Sequence, residues 1–293
     1  MERGILITHD DCLDGATAAL VARAVGLAVR LVEPDQVVAE LETLPEGVPL
    51  YLADVSIPKE AWPAWQPRVA YLLDHHQTAL GLRGEPRVTV DLGRSGARLM
   101  YDFAVEHGWL KPTPAYARLV DMVQRYDLWQ PRHEAGQNLN RLFRDQGLDW
   151  YLGGFAYGWR PWQAWEAERI AEIVRDERRF IAAALSQVRR LPAGQFALAG
   201  LFLSEDGPIN EVAHRLLADG VDVVLFVKAD GRLSARSSRR VDVARAMEQL
   251  FGGGGHARAA GGRLASGVAP GPEAVDQALA ELARFLREQP EPR

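Results

Sequence analysis

The sequence predicts an α/β protein of two lobes: an N-terminal, mainly parallel sheet flanked by helices, and a smaller C-terminal α/β domain joined to it by a helical linker. Two observations carry this. Through the first half, short apolar or β-branched runs alternate with helical patterns, the rhythm of βαβ units whose sheet is covered on both faces. The same rhythm returns after Pro192-Ala193-Gly194, beyond a long charged and alanine-rich segment. The boundaries that follow are 1–150 for the first domain, 151–191 for the linker and 192–293 for the second domain.

Residues 4–8 read as a buried strand and 16–26 as an alanine-rich helix. Strands follow at 29–32, 49–53, 69–73 and 87–90, with a short helix over 37–44. Helical spacing recurs over 95–107 and 114–125, and the linker contains a solvated helix over 163–190. In the second lobe, 196–203 is a strand, 209–218 a helix and 221–229 a strongly apolar strand. Asp230-Gly231 is a two-residue turn signal that joins it to a hairpin partner over 232–237. A helix over 243–251 runs into Gly252-Gly253-Gly254-Gly255-His256, and the Pro/Glu/Arg tail after Glu288 is expected to fray.

Composition narrows the class. With 47% hydrophobic and 25% charged residues, the 293-residue chain can fill two cores and shows no sign of disorder. A net charge of −5 gives no global basic field, so long duplex nucleic acid is not the expected partner. The single cysteine, Cys12, excludes an intramolecular disulfide and fits a reducing cytoplasm. Residues 1–6 carry no apolar export segment, and no run approaches the ~18 apolar residues of a membrane span. A cytoplasmic protein without membrane contact is expected.

The chemistry gathers at strand ends. The run Leu73-Asp74-His75-His76-Gln77 places three metal-competent residues where a strand releases into a loop. His9-Asp10-Asp11-Cys12-Leu13-Asp14-Gly15 stands where the first strand hands over to the first helix. Asp54 follows the third strand, and Asp127 comes just after an amphipathic helix, where the negative end of the dipole asks for a cation. Taken singly, Asp14 could be a helix cap, His9 a surface residue and Asp54 a turn aspartate. Together they would converge on one edge of a parallel sheet, the edge where ligands collect in open α/β folds. Four or five crowded carboxylates repel one another, and two divalent cations would relieve that. Histidine and carboxylate donors without cysteine clusters favour Mn²⁺, with Mg²⁺ as the other suitable ion.

In order and spacing, these residues resemble the DHH/DHHA1 phosphoesterase family, which includes RecJ-type exonucleases, nano-RNase/pAp phosphatases and cyclic-dinucleotide phosphodiesterases. The core also resembles that of family II inorganic pyrophosphatases. The resemblance covers nearly the whole chain: residues 9–15, Asp54, Asp74-His75-His76, Ser95-Gly96-Ala97 and Asp127, then Ser234-Ala235-Arg236-Ser237 and the glycine-rich stretch 252–262. It implies His9 and Asp14 as ligands of the first motif, Asp54 as the carboxylate bridging both ions, His75 as a ligand and Asp127 as the last carboxylate. It further implies that Asp74 orients a histidine and that His76 meets substrate or the leaving oxygen, with a metal-bridging hydroxide as nucleophile. One departure stands out. The common first motif is His-x-Asp-x-Asp-Gly, and here one residue is inserted, so that Cys12 stands two before Asp14. Either Asp11 fills the missing carboxylate role or that metal site is weaker. Cys12 as a soft-ion ligand is the less favoured reading beside a small buried residue.

In the second lobe, Gly253, Gly254 and Gly255 would let backbone amides approach a phosphate or base, with His256 directly after them. Arg236 lies on a strand between two serines, where a guanidinium could hold a phosphate bidentately, and Asn210 opens the preceding helix. Aromatics from Trp150 to Trp165 offer a base-stacking surface, with packing at the lobe junction the stronger reading. The expected activity is Mn²⁺-dependent, two-metal hydrolysis of short oligonucleotides or small phosphorylated nucleotides. The rivals are an exopolyphosphatase or other small phosphate-ester hydrolase, and a catalytically weakened nucleotide-binding regulator. A homodimer is the one protein partnership entertained.

Overall fold

A computed structural model describes residues 3–128, 130 and 133–288, and of His256 the backbone alone. The tail after Glu288, expected to fray, lies outside the described residues. The chain divides into two compact units, Met1–Ile170 and Ala171–Arg293, and the division falls inside the segment 151–191.

The first unit opens with β1 (Ile5–His9), α1 (Leu13–Ala24), β2 (Ala28–Val32), α2 (Val37–Thr43), β3 (Leu50–Ala53), α3 (Trp62–Trp65), β4 (Val69–Asp74) and β5 (Val88–Val90). The helices α4 (Gly96–Glu106), α5 (Pro114–Asp127) and α6 (Glu134–Gly154) follow, and α7 (Ala164–Ser186) starts in this unit. The strands form a sheet of order β2-β1-β3-β4-β5 in which every pairing is parallel. The chain steps from β1 outward to β2 and then back across to β3, so a topological switch point lies between β1 and β3. All strands point the same way, so His9, Asp54 and Asp74 emerge at one edge. Register sharpens this, because Thr8 pairs with Ala53 and Ala53 with Leu73.

Central strands β1 and β3 are buried on both faces, which explains their unbroken apolar runs. Helix α1 is buried from Leu13 to Ala22 and starts three residues before the expected Ala16, taking Asp14 and Gly15 into its first turn. A carboxylate there meets the positive end of the helix dipole. Helix α6, which no sequence pattern had suggested, is broken at Gly147 (φ 81°) and ties to α1 through a 2.7 Å hydrogen bond between Tyr151 Oη and Thr17 Oγ1. Tyr151 and Phe155 are fully buried, and Trp159 stacks on Phe155 at 5.8 Å. These rings pack the first unit's core, whereas Tyr157 is 90% exposed.

Glu166, fully buried in the first turn of α7, accepts two 2.7 Å hydrogen bonds from Arg160, one from the Gln163 amide and one from the Trp150 indole. Burial alone would raise its pKa, but these donors outweigh burial and hold it below the ordinary carboxylate value. A depressed folded-state pKa contributes stability above the unfolded pKa and loses it as pH falls through the folded one. Glu166→Gln is therefore expected to cost about 2–4 kcal/mol near neutral pH, because it strands the Arg160 charge. That deficit should narrow in urea titrations below about pH 4.

The second unit holds the remainder of α7, then β6 (Arg189–Ala193), β7 (Phe196–Leu203), α8 (Ile209–Ala218), β8 (Val223–Lys228), β9 (Arg232–Ser237), α9 (Val243–Phe251), β10 (Gly254–His256), β11 (Ala259–Arg263) and α10 (Pro272–Arg287). Its sheet runs β10-β11-β9-β8-β7-β6 with β7 and β8 parallel and the other pairs antiparallel. Helices α9 and α10 cover one face, and α8 with the end of α7 covers the other. One expectation is corrected here. The helix expected over 163–190 stops at Ser186, and 189–193 becomes an edge strand on β7, the position in a sheet that tolerates Pro192. Among the described residues, no helix is long and apolar enough to cross a membrane.

Candidate functional site

Three strand ends and two helices build the first unit's site. Asp54, in the left-handed region at φ 61°, turns off β3 and is 1% exposed. Its two oxygens face different neighbours: Oδ1 lies 3.0 Å from His75 Nε2, and Oδ2 lies 3.7 Å from His9 Nδ1. His75 Nε2 also lies 3.7 Å from Asp14 Oδ2 and 3.5 Å from Asp127 Oδ2. Asp127 is the last residue of α5, which runs two residues past the expected helix end at 125. Three donor groups result, each with its atoms within 4.8 Å: Asp54/Asp74/His75/His76, His9/Cys12/Asp54 and Asp14/His75/Asp127.

Asp14 has a second task. Its carboxylate accepts from the Gly96 amide at 2.6 Å and the Ala97 amide at 3.2 Å, so it anchors the start of α4, where Ser95 is the N-cap. Gly96 is required sterically, since a Cβ there would sit 2.7 Å from the Asp54 Cα. The Ser95-Gly96-Ala97 motif thus lets α4 approach close behind Asp54 and Asp14.

The electrostatics are those of an uncompensated anionic cluster. Burial first, then Asp14 and other carboxylates, push the Asp54 pKa well above its ordinary value. Burial with Asp14 and Asp54 pushes Asp127 up to about 8. Asp54 Oδ2 and Asp74 Oδ2 are buried without a hydrogen-bond partner. Orphaned carboxylate oxygens among imidazoles are a donor set that fits divalent cations, which would supply the charge these groups lack. Asp74 differs from its neighbours. Its Oδ1 takes the His76 Nδ1 at 2.8 Å and the His75 amide at 2.7 Å, which outweighs burial and holds its pKa below the usual value. Burial lowers the His76 pKa, but the bond to and charge of Asp74 outweigh burial and raise it. With Nδ1 committed to Asp74, Nε2 is the His76 atom left for a ligand. Burial lowers the His9 pKa and pushes the Cys12 thiol up.

The inserted first motif is resolved by Asp11. At φ 48° its side chain turns outward, 71% exposed, and pairs with Arg144 at 3.0 Å, so it does not join the donor groups. Cys12 does. The sequence signal was present, since a one-residue insertion before Asp14 moves one side chain out and the next one in.

In the second unit, Arg236 and Asn210 meet directly, with Arg236 Nε donating to Asn210 Oδ1 at 2.9 Å and Nη1 donating to the Ala235 carbonyl at 2.8 Å. Burial lowers the pKa of this half-buried guanidinium, and Nη2 remains for an anion. The glycines divide by role. A Cβ on Gly253 would lie 1.8 Å from the Gly261 carbonyl oxygen and one on Gly255 2.7 Å from that of Ala259, so both serve close packing on β11. Gly254, like Gly252 at the end of α9, meets nothing within 4 Å, and it is the glycine of β10 with open space beside it. His256 lies on β10, and its side chain is outside the described residues.

Comparison with known proteins adds four relationships. Residues 195–288 match the DHHA1 domain family. The oligoribonuclease NrnB of Bacillus subtilis is 40% identical over 81 residues, which cover 25% of this chain and 20% of that protein, so the match spans about a fifth of its length. A pGpG-specific phosphodiesterase, PggH from Vibrio cholerae, superposes with a TM-score of 0.65 at 15% identity over 97% of this chain and 98% of its own. An exopolyphosphatase-related protein from Bacteroides fragilis gives 0.57 at 15% identity over 97% and 93%. At such identities the last two show a shared α/β fold.

Proposed function

We propose that the chain is a DHH/DHHA1-type, metal-dependent phosphodiesterase acting on short oligonucleotides or small phosphorylated nucleotides, a reading supported by the DHHA1 domain match over residues 195–288 and by the likeness to NrnB. The observation that carries this reading is Asp54: a buried carboxylate whose two oxygens face two separate histidines, one oxygen having no hydrogen-bond partner. Asp14, His75 and Asp127 would hold one cation, with Asp54 shared between it and a neighbour. The imidazole and carboxylate donors suit Mn²⁺. When bound, a pair of such ions supplies Lewis-acid activation of water and neutralises charge on the phosphoryl group.

The protein's own groups divide the remaining work. Asp74 fixes the His76 ring through Nδ1 and favours its protonated form, in which Nε2 would offer a proton to a phosphate oxygen or to the departing oxygen. Asp14 keeps the α4 amides and the donor cluster in one rigid unit. In the second unit, Arg236, steered by Asn210, is the candidate anion-holding group, and the open space beside Gly254 admits a ligand close to the backbone. The names of NrnB and PggH favour short RNA-type substrates over inorganic polyphosphate.

The test is a Mn²⁺ assay against pAp, di- to tetranucleotides, longer single strands and polyphosphate. Turnover confined to pAp and the shortest oligonucleotides is expected. Hydrolysis of polyphosphate alone, or tight nucleotide binding with no turnover, would overturn the reading. Arg236→Ala removes one charge-assisted contact, worth roughly 1.5–3 kcal/mol. It is expected to raise KM about 10- to 100-fold with kcat changed far less.

A further inference from the structure

The His9/Cys12/Asp54 group is not accounted for by a carboxylate and histidine site. Cys12 occupies the N-cap position of α1 with extended backbone (φ −125°, ψ 133°), yet its side chain makes no capping hydrogen bond. Ser, Thr, Asp and Asn are the residues preferred at a helix start, and the Gly15 amide in the first turn would favour the thiolate form of Cys12. The outward turn of Asp11 is what brings Cys12 inward.

A second, independent observation points to a ligand. Asp54 Oδ2 is buried and unpartnered, and it faces His9 Nδ1 at 3.7 Å. Both residues offer donor atoms within 4.8 Å of the Cys12 sulfur. A cavity of 110 Å³ reaches two of the three residues, His9 and Cys12, and Asp11 and Arg144 also line it.

We infer that Cys12 joins His9 and Asp54 as a direct ligand, which makes this cation position selective for a thiophilic divalent ion such as Zn²⁺ or Co²⁺. The Asp14/His75/Asp127 position, built from imidazole and carboxylate alone, keeps a preference for Mn²⁺. The inference rests on the proposal that Asp54 is shared between two cations and assigns the chemistry of one of them. Binding exchanges the thiol proton for the metal, the proton passing to solvent with no change of oxidation state. A pair of unlike ions follows from unlike ligand sets.

The test is titration of the metal-stripped full chain with Co²⁺ alone, followed by absorption spectroscopy, in wild type and Cys12→Ser. Serine suits an N-cap, so this variant is expected to fold. Wild type should develop visible d–d bands together with a near-ultraviolet thiolate-to-cobalt charge-transfer band. In Cys12→Ser the charge-transfer band should vanish while d–d absorption persists. Loss of a residue that merely supports a ligand costs ~10- to 100-fold in metal affinity, so loss of a direct ligand should weaken Zn²⁺ binding by about 100-fold or more. Mn²⁺ binding should change far less. If d–d bands form in wild type without charge transfer, Cys12 is not a ligand and the inference fails while the metal site stands. If no cobalt bands form at all, the metal-site reading fails with it.

Discussion

Asp54→Asn is expected to abolish turnover and, in the metal-free protein, to raise stability. Asn is isosteric with Asp and tolerates the left-handed conformation that position 54 adopts at φ 61°, so the backbone turn off β3 should survive. What is lost is a charge shared between two donor groups. Metal-borne charge stabilisation is worth several kcal/mol in the transition state, so kcat should fall on the order of 10³-fold or more. The stability gain follows from burial. A carboxylate whose folded pKa is raised contributes stability only while it is protonated, and that contribution is lost as pH rises through the folded value. Asn does not titrate, so its advantage over Asp should grow as pH rises from the unfolded carboxylate value toward the raised folded value of Asp54. Each 1 kcal/mol recovered would appear as roughly 2–4 °C in Tm. The variant should also lose the rise in Tm that Mn²⁺ gives wild type. An equal metal-induced shift in both proteins would remove Asp54 from the cation site.

Asp14→Ala should damage fold and chemistry together. The Asp14 carboxylate accepts from the Gly96 and Ala97 amides and stands 3.7 Å from His75 Nε2. Truncation leaves two buried amides at the start of α4 unpaired, each costing about 1–3 kcal/mol. A loss of roughly 2–4 kcal/mol in urea unfolding is expected, with turnover gone. Asp14→Asn keeps one oxygen acceptor, so it should recover part of the stability and none of the turnover. Wild-type stability in Asp14→Ala would show that the α4 amides find other partners.

The sequence exposed the cluster because the sheet is parallel. Apolar runs ending in His9, Ala53-Asp54 and Asp74-His75-His76 are strand ends, and parallel strands bring their carboxyl ends to one edge without further information. Second-unit boundaries such as Phe196–Leu203 and Val243–Phe251 were equally plain, since strong apolar periods end there in turn residues. Other features are set by tertiary structure. Helix α6 is interrupted at Gly147, so no single period spans it, and Pro192 disguised the edge strand β6 as a helix terminator. The roles of Asp11 and Cys12 turned on one backbone dihedral, the φ of 48° at Asp11, which no residue spacing encodes. Asp14's hold on α4 links residues more than eighty positions apart, a distance that only tertiary structure closes.

Divalent cations seated on Asp54 and its neighbours are expected to enable hydrolysis of short nucleotides. The most direct test pairs elemental analysis with turnover of a 5′-phosphorylated dinucleotide, before and after chelation. Active protein should carry about two divalent ions per chain. Turnover should be lost when they are stripped and recovered when divalent cations are added back. Undiminished turnover by stripped protein in the continued presence of chelator would contradict this dependence on cations.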